Sequence, residues 1–353
     1  MKIPLHSRLR REFRTLIYTA LSKLTPKAKT DTFIDKNEIK SILIVRPNYR
    51  IGNIIFLTPL INELAKLMPE AKIDLIVGMK LAGKILEPMP NVERVIDIPR
   101  KLLLHPIELI KLIKKTRAKR YDLVLNISAG SVSSEIVTAL ANAKYKASFQ
   151  NDKTFIRLTH TVKRENLYKH SGSRPLELLK LFNDGLPASD VLLDIKLSES
   201  ERLQAKKELH ELLKRSDISE NVKVIALFRN ARFDKKIPDA WWNEWHKALL
   251  ELDKNIVVID ILSPDIPQKL NEQMLEYSSK DLRALGAFFH ACDLYVSADT
   301  GPLHLASAAD AKVLALFNKT DKATYGVLEA KSKTLDINGL TSDEVAKITL
   351  EML

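Results

Sequence analysis

Short apolar runs alternate with segments of helical periodicity from residue 39 onwards. In the first half of the chain, the runs at 41–46, 72–77, 94–98 and 121–127 predict strands, with helices near 54–67, 80–87, 105–118 and 132–142. Each run ends in polar or glycine residues. This alternation is typical of an α/β fold with a doubly wound parallel sheet, which binds its ligands at the carboxyl ends of the strands.

The same alternation returns in the second half of the chain. Strands are predicted at 222–228, 255–260, 293–297 and 312–317, and helices over 281–292 and 342–353 and from residues 239 and 302. Ser198 and Glu201 fit a capping box at the start of another helix. We therefore predict an N-terminal helix and linker (1–38), a first doubly wound domain (39–185), an interdomain linker and helix (186–220), a second doubly wound domain (221–340) and a C-terminal helix (341–353).

The N-terminus combines apolar residues at helical spacing with a strong positive charge. Residues 5–24 have the apolar spacing. Residues 1–30 contain eight lysines and arginines against one acid, Glu12, and so contribute +7 to the formal net charge of +12. A basic amphipathic helix suits the anionic inner leaflet of a membrane, at about 1 kcal/mol per basic residue. Packing of this helix on its own domain or on a partner is the equally weighted alternative.

The composition narrows the class of protein further. The 353 residues are 45% hydrophobic and 28% charged, and the single cysteine, Cys292, excludes an internal disulfide. We see no apolar run of membrane-span length, no signal-peptide core and no metal-binding cluster of Cys and His. We expect a cytoplasmic protein, peripheral on the inner membrane if the N-terminal helix binds lipid. No nucleic-acid partner is expected, because aromatic residues do not interleave with the basic ones.

A predicted strand-to-helix junction gives the clearest indication of a binding site. Asp299 and Thr300 are helix-capping residue types, and Pro302 suits the first turn of a helix, where its missing N–H costs nothing. The free amides of that turn and the helix dipole favour an anion, Gly301 allows a ligand to approach closely, and His304 reaches the same place. The junction predicts binding of a phosphate or diphosphate; a capped turn without a ligand is the alternative.

The segment DTGPLHLASAADAKVLALFNKT, from Asp299 to Thr320, resembles the glycosyltransferase family 9 heptosyltransferases of lipopolysaccharide core synthesis. Their segment has a D-T-G-x-x-H-L-A core followed by a strand and L-F-G-x-T, and Asn318 stands here in place of the glycine. The resemblance extends from about residue 41 to the C-terminus. It implies a GT-B fold, in which two Rossmann-like domains face a cleft, with the donor on the C-terminal half and the acceptor on the N-terminal half.

The first turn of the N-terminal half departs from the family at a catalytic position. The family has Gly-Asp before Thr-Pro-Leu, and its Asp is the general base, whereas this chain has Gly52-Asn53 before Thr58-Pro59-Leu60. An amide takes up no proton near pH 7, although Asn caps a helix as well as Asp. Three explanations stay open: Asn53 orients the acceptor while Glu135 or Asp97 is the base, the acceptor needs little base assistance, or transferase activity is lost.

The resemblance also implies donor contacts in the second half. The family has K-x-W-P, whose lysine contacts the donor phosphates; Lys235 is in register with Pro238, and Lys236 is the neighbouring alternative. A lysine is a mobile point charge that can follow the charge on a departing diphosphate. Asn230 matches a small phosphate-contacting residue, and Asp265 matches an acidic residue that binds the nucleoside ribose.

Together these features predict a transfer reaction. The resemblance implies an inverting, metal-independent transfer without a cofactor, from a nucleotide sugar to an acidic glycolipid of the lipopolysaccharide or lipooligosaccharide core or a related envelope glycan. Asn53 and Lys235 are the predicted catalytic residues, and ADP-heptose is the donor most common in the family, although no residue here selects it. Basic residues within 157–174 are candidate acceptor contacts. A catalytically impaired protein that binds a nucleotide sugar or acts as a scaffold is the alternative.

Overall fold

The computed structural model of the protein describes residues 32–99, 102, 105–154, 156–219 and 221–353. These residues form two compact units. Unit 1 comprises the described residues up to Tyr49, Leu60–Leu167 and Pro175–Ala188, and unit 2 comprises Arg50–Pro59, Tyr168–Arg174 and Ser189–Leu353. The segments 50–59 and 168–174, which the prediction placed in the first domain, thus cluster with unit 2. The predicted N-terminal helix over 5–24, and with it the membrane contact of residues 1–30, lies outside the described residues.

Unit 1 contains a sheet of six parallel strands in the order β3-β2-β1-β4-β5-β6. The strands are β1 Ser41–Arg46, β2 Lys72–Val77, β3 Val92–Asp97, β4 Tyr121–Asn126, β5 Ala143–Phe149 and β6 His160–Val162. Ser41 pairs with Lys72 on one side of β1, and Ile42 pairs with Leu123 on the other. The strand order reverses between β1 and β4, so the topological switch point of the sheet lies at the carboxyl ends of these two strands.

Helices of the first half lie between these strands along the chain, and one of them, Ile51–Ile55, belongs to unit 2. They are Ile51–Ile55, Thr58–Leu67, Ala82–Leu86, Pro106–Arg117 and Val132–Leu140, with 3₁₀ helices at Lys36–Glu38 and Arg174–Phe182. Leu112 and Val137 belong to one buried apolar cluster with Val45 and Val124 of the sheet. The prediction of one helix over 54–67 was wrong. Pro59 lacks the N–H that would continue a helix from residue 55, and it stands instead in the first turn of a second helix.

Unit 2 repeats the same strand order. Its six parallel strands run β12-β11-β10-β7-β8-β9, so the switch point lies between β7 and β10. The strands are β7 Lys223–Phe228, β8 Ile256–Ile261, β9 Leu275–Tyr277, β10 Leu294–Ala298, β11 Val313–Phe317 and β12 Lys333–Asp336. Both sheets have the Rossmann strand order, which confirms the predicted α/β, doubly wound fold class.

The helices of the second half complete the core of unit 2. They are Glu199–Arg215, Asp239–Leu252, Leu282–Ala291, Gly301–Ala308, Lys322–Tyr325 and Ser342–Glu351, and a 3₁₀ turn spans Phe233–Lys235. The capping box predicted from Ser198 and Glu201 is present. Trp245 is fully buried, and its indole N–H donates to Thr349 Oγ1 of the last helix over 3.2 Å. Among the described residues, no helix combines the length and apolar character needed to cross a membrane.

Candidate functional site

The candidate site lies at the switch point of unit 2. Strands β7 and β10 are neighbours there, and parallel strands of this topology leave a crevice at their carboxyl ends. Asp299 directly follows β10, and Thr300 is the N-cap of the helix Gly301–Ala308. Thr300 Oγ1 accepts a hydrogen bond from the Leu303 amide over 3.4 Å. Since Pro302 has no N–H, the Gly301 amide is the first-turn donor that remains outside this cap.

Lys235 and Asp299 are brought together although they are 64 positions apart. Lys235 Nζ lies 2.7 Å from Asp299 Oδ2, and Thr320 Oγ1 donates to the same carboxylate oxygen over 2.7 Å. The Asp299 side chain is 7% exposed and that of Lys235 is 29% exposed. A mostly buried carboxylate therefore holds a more accessible ammonium next to a helix N-terminus, and the ammonium and the helix end both favour an anion.

His304 lies in the first turn of the same helix, beside Asp299 and Phe56, and its predicted donor contact stays a prediction. Its ring is buried, its centroid lies 4.5 Å from that of Phe56, and its Nε2 lies 3.8 Å from Asp299 Oδ1. The pKa of His304 is lowered to about 3, mainly by burial and to a lesser extent by the neighbouring His170 and Lys235, although the Asp299 carboxylate raises it. The imidazole is neutral at pH 7, so His304 supplies packing and hydrogen-bonding capacity at this site rather than a positive charge.

The segment 50–59 brings a second helix end to the same place in unit 2. A Cβ atom on Gly52 would lie 2.6 Å from His304 Cδ2, and one on Gly301 would lie 3.2 Å from Ile51 Cβ. The helices Ile51–Ile55 and Gly301–Ala308 therefore touch at their amino ends. Both helix dipoles point their positive ends at this contact, which favours an anion there.

Asn53 stands one residue after Gly52 and is half-buried. The N-cap of its helix is Arg50, which makes Asn53 the third helical residue. The expectation that Asn53 keeps the capping role of an Asp was therefore wrong, because the helix begins earlier than the sequence pattern suggested. Its predicted role beside the acceptor stays a prediction.

The two alternative bases both belong to unit 1. Glu135 is buried, and its Oε1 accepts a hydrogen bond from the Gly130 amide over 2.8 Å, so this carboxylate holds the loop after β4. Asp97 is exposed at the end of β3. A base role for either one stays a prediction.

The remaining predicted donor residues lie on loops that follow β7 and β8. Asn230 Nδ2 donates to Ser263 Oγ over 3.4 Å, which joins these two loops. Asp265 is exposed in a turn that a bridge between Ser263 and Ile266 closes. Both roles, phosphate contact for Asn230 and ribose contact for Asp265, stay predictions.

Arg229 is a positioning residue that the sequence interpretation missed. It is buried, and its guanidinium donates to Asp260 Oδ2 over 2.9 Å and to Gln268 O over 2.6 Å. Asp260 Oδ2 also accepts from the Leu270 amide over 2.8 Å. Arg229, which follows β7, thereby fixes the loop after β8. Arg229 directly follows β7 and Asp260 lies near the end of β8, so the pairing of these two strands brings the residues together and no local motif indicates it.

The family comparison agrees with this geometry. A sequence model described as glycosyltransferase family 9 (heptosyltransferase) matches residues 109–349, about two thirds of the chain. The chain belongs to glycosyltransferase family 9. A comparison with curated proteins gives no significant match.

Solved structures of a family 9 glycosyltransferase and of two heptosyltransferases have the same fold as this chain. One is a glycosyltransferase of family 9 from Veillonella parvula DSM 2008, which is 18% identical in sequence. The match covers 89% of this chain and 90% of the Veillonella chain, with a TM-score of 0.71. Escherichia coli heptosyltransferase WaaC with ADP is 20% identical, with coverages of 89% and 100% and a TM-score of 0.68. Escherichia coli ADP-heptose lipopolysaccharide heptosyltransferase II is 16% identical, with coverages of 88% and 98% and a TM-score of 0.66. These likenesses confirm the predicted GT-B fold class of this family 9 chain.

Proposed function

We propose that the protein is an inverting glycosyltransferase that binds the diphosphate of a nucleotide sugar at the switch point of unit 2. The observation that carries this proposal is the Lys235 ammonium, 2.7 Å from Asp299 at the amino end of the helix Gly301–Ala308. A cation, a helix dipole and backbone amides at one place are complementary to a diphosphate. Membership of family 9 supports the same reaction class.

In the proposed reaction, an acceptor hydroxyl oxygen attacks the anomeric carbon of the donor sugar from the face opposite the diphosphate. The bond from that carbon to the diphosphate oxygen breaks, the configuration inverts, and the hydroxyl proton leaves to a base or to water. Lys235 and the Gly301 amide stabilise the charge that develops on the leaving diphosphate. Asn53 orients the acceptor hydroxyl by hydrogen bonding, because its amide takes up no proton. No metal enters this scheme, and the described residues contain no group of three His, Cys, Asp or Glu side chains that could hold one.

The proposed donor is ADP-heptose or a related nucleotide sugar. Structures of Escherichia coli WaaC contain ADP and ADP-2-deoxy-2-fluoro-heptose. The proposed acceptor is an acidic glycolipid of the lipopolysaccharide or lipooligosaccharide core or a related envelope glycan.

A lipid-linked acceptor places the protein at the inner face of the membrane, and one described helix supports that location. In the helix Pro106–Arg117, Ile107 is 67% exposed and Ile110 is 53% exposed, while Lys114 and Lys115 are exposed one turn further on. Exposed aliphatic side chains followed by lysines suit an anionic lipid surface, which solvates both groups.

Asn53 favours one alternative, a nucleotide-sugar-binding protein without transferase activity. We would measure the release of ADP from ADP-heptose, and ADP binding by calorimetry, for the wild-type protein and for Asn53→Asp and Lys235→Met. The proposal predicts that the wild-type protein turns over the donor and that Asn53→Asp does so faster, because its carboxylate can act as a base. In Lys235→Met we expect kcat to be about 100- to 1000-fold lower. ADP binding that persists while neither the wild-type protein nor Asn53→Asp turns over any nucleotide sugar would refute the transferase proposal and support the alternative.

A further inference from the structure

The guanidinium of Arg229 joins several elements of unit 2. Besides its hydrogen bonds to Asp260 Oδ2 and Gln268 O, its Nη1 donates to Asp239 Oδ2 over 3.1 Å. Asp260 belongs to β8, Gln268 to the loop after β8, and Asp239 begins the helix that follows the Lys235 turn. Each guanidinium nitrogen therefore binds a different element. A lysine ammonium is a single point charge and could not hold all of them in this fixed geometry.

The loop after β8 depends on these side chains for its position. In the described chain, residues 262–274, which join β8 to β9, form no helix. Instead, Arg229 donates to Gln268 O, and Asp260 accepts from the Leu270 amide over 2.8 Å. The Asp260 carboxylate is fully buried, its Oδ1 has no hydrogen-bond partner, and Arg229 supplies its counter-charge at 2.9 Å. Removal of Arg229 would leave a buried carboxylate unpaired, which disfavours the present position of the loop.

The same loop is linked to the diphosphate side of the site. Asn230 Nδ2 donates to Ser263 Oγ over 3.4 Å, and further along the same turn Lys235 pairs with Asp299. The loops after β10, β7 and β8 are thus connected in the order in which these strands lie in the sheet. A nucleotide whose diphosphate meets Lys235 therefore lies next to the loop after β8, where Asp265 is the predicted ribose contact.

We propose that Arg229 determines specificity for a nucleoside diphosphate by positioning the loop after β8, residues 262–270, against the segment that contains Lys235. The nucleoside then meets a preformed surface and adds its binding free energy to that of the diphosphate. Arg229 does not touch the donor in this scheme, because it acts through the loop. The inference rests on the proposed function, which places the diphosphate at Lys235, whereas the contacts of Arg229 are a feature of unit 2 itself.

The test compares a nucleotide with pyrophosphate in the full chain by calorimetry. The nucleotide is whichever of ADP, GDP, UDP and CDP binds the wild-type protein most tightly. In Arg229→Lys, we expect its dissociation constant to rise about 10- to 100-fold, whereas that of pyrophosphate should change less than about twofold. Lys235→Met should weaken both ligands by a similar factor, because this lysine faces the diphosphate that they share.

The outcomes separate this inference from the proposed function. A wild-type protein that binds neither pyrophosphate nor any of the four nucleotides would refute the proposed function and the inference with it. A nucleotide that binds wild type no more tightly than pyrophosphate would overturn the inference alone. The same holds for an Arg229→Lys variant that keeps the wild-type preference for nucleotide over pyrophosphate.

Two controls distinguish positioning from a general loss of stability. Arg94→Gln in unit 1 removes an arginine from Asp74, a carboxylate as buried as Asp260, so it should lower stability and leave the preference for nucleotide unchanged. Arg229→Gln should lower the thermal unfolding midpoint, and adding Asp260→Asn should restore most of it, because no buried charge is then unpaired. The double variant should still lack the preference, since the bond to Gln268 O is gone, and it keeps the test valid if Arg229→Lys folds poorly. Recovery of both stability and preference would show a merely structural role and overturn the inference.

Steady-state release of ADP from ADP-heptose gives a second readout. Contacts of the loop with the nucleoside are the same in the ground state and the transition state. In Arg229→Lys, KM for the donor should therefore rise about 10- to 100-fold, while kcat changes less than about threefold. A lower kcat with unchanged KM would assign Arg229 to stabilisation of the leaving group and overturn the inference.

Discussion

Gly52→Ala tests whether the two helix ends in unit 2 pack as tightly as the structure shows. The new methyl group would lie 2.6 Å from His304 Cδ2, which is 0.8 Å closer than the shortest ordinary contact of 3.4 Å. The His304 ring has little room to move, because it is buried against Phe56 and lies beside Asp299. Overpacking of a buried site costs about 1–3 kcal/mol, so we expect the thermal unfolding midpoint to fall by about 2–10 °C.

The assay is urea or thermal unfolding followed by circular dichroism, with Gly185→Ala as the control. A Cβ atom on Gly185 would meet nothing within 4 Å, so this change should leave stability unchanged or raise it by up to about 1 kcal/mol through the unfolded chain. The comparison isolates the contact from the general effect of replacing glycine by alanine.

A double-mutant cycle with His304→Ala identifies the atoms responsible. If the methyl group clashes with the imidazole, Gly52→Ala should be nearly neutral once the ring is removed, and the two changes should be non-additive by about 1–3 kcal/mol. Additive effects, or a Gly52→Ala variant as stable as Gly185→Ala, would refute the packing that places the segment 50–59 against the helix Gly301–Ala308.

Three further predictions concern the Asp299 carboxylate, the His170 ring and the exposed isoleucines of the helix Pro106–Arg117. Asp299→Asn should tighten ADP binding and lower kcat, because the carboxylate no longer competes for the Lys235 ammonium. Calorimetry measures the binding and ADP release measures kcat; weaker ADP binding with unchanged kcat would contradict this prediction. Burial lowers the pKa of His170 from 6.5 to about 4, so the unfolded state takes up its proton first and stability falls as the pH drops from 6.5 to 4. Urea unfolding across that range gives the free energy of unfolding against pH, whose slope reports the number of protons taken up on unfolding. His170→Phe should reduce this number by about one, and an unchanged slope would show that the His170 ring does not titrate there. Replacing Ile107 and Ile110 by serine should weaken binding to vesicles with anionic lipid by about tenfold or more, whereas Leu252→Ser, at an exposed position in unit 2, should not.

The apolar runs predicted the central strands of both sheets, because buried parallel strands are almost continuously apolar. β5 was missed, since Lys144 and Lys146 interrupt its apolar pattern. Lys146 is nevertheless buried, and its ammonium donates to Ala139 O over 2.6 Å. The outer strands β6, β9 and β12 were missed because strands of three or four residues give no period to detect.

For the candidate site, the resemblance indicated residue types and the structure shows their partners. Lys235 and Asp299 were both candidates, but their ion pair joins positions too far apart in the chain for any local pattern to reveal. The same limit applies to His304, because its place in the motif indicated that it reaches the site but not that burial keeps it neutral. Arg229 was missed because it matches no motif position, and only the fold brings it to Asp260.

The ion pair between Lys235 and Asp299 determines at which stage of the proposed reaction Lys235 would act. An ammonium that already has a carboxylate partner gains little from the intact donor, because Asp299 offsets most of its charge. When the glycosidic bond breaks, the diphosphate becomes more negative and competes more strongly for the same ammonium. The interaction is then stronger in the transition state than in the ground state, and only that difference raises kcat. In the proposed reaction, Asp299, which Thr320 also holds, would thus improve catalysis by Lys235 by making this lysine a weaker ligand for the bound substrate.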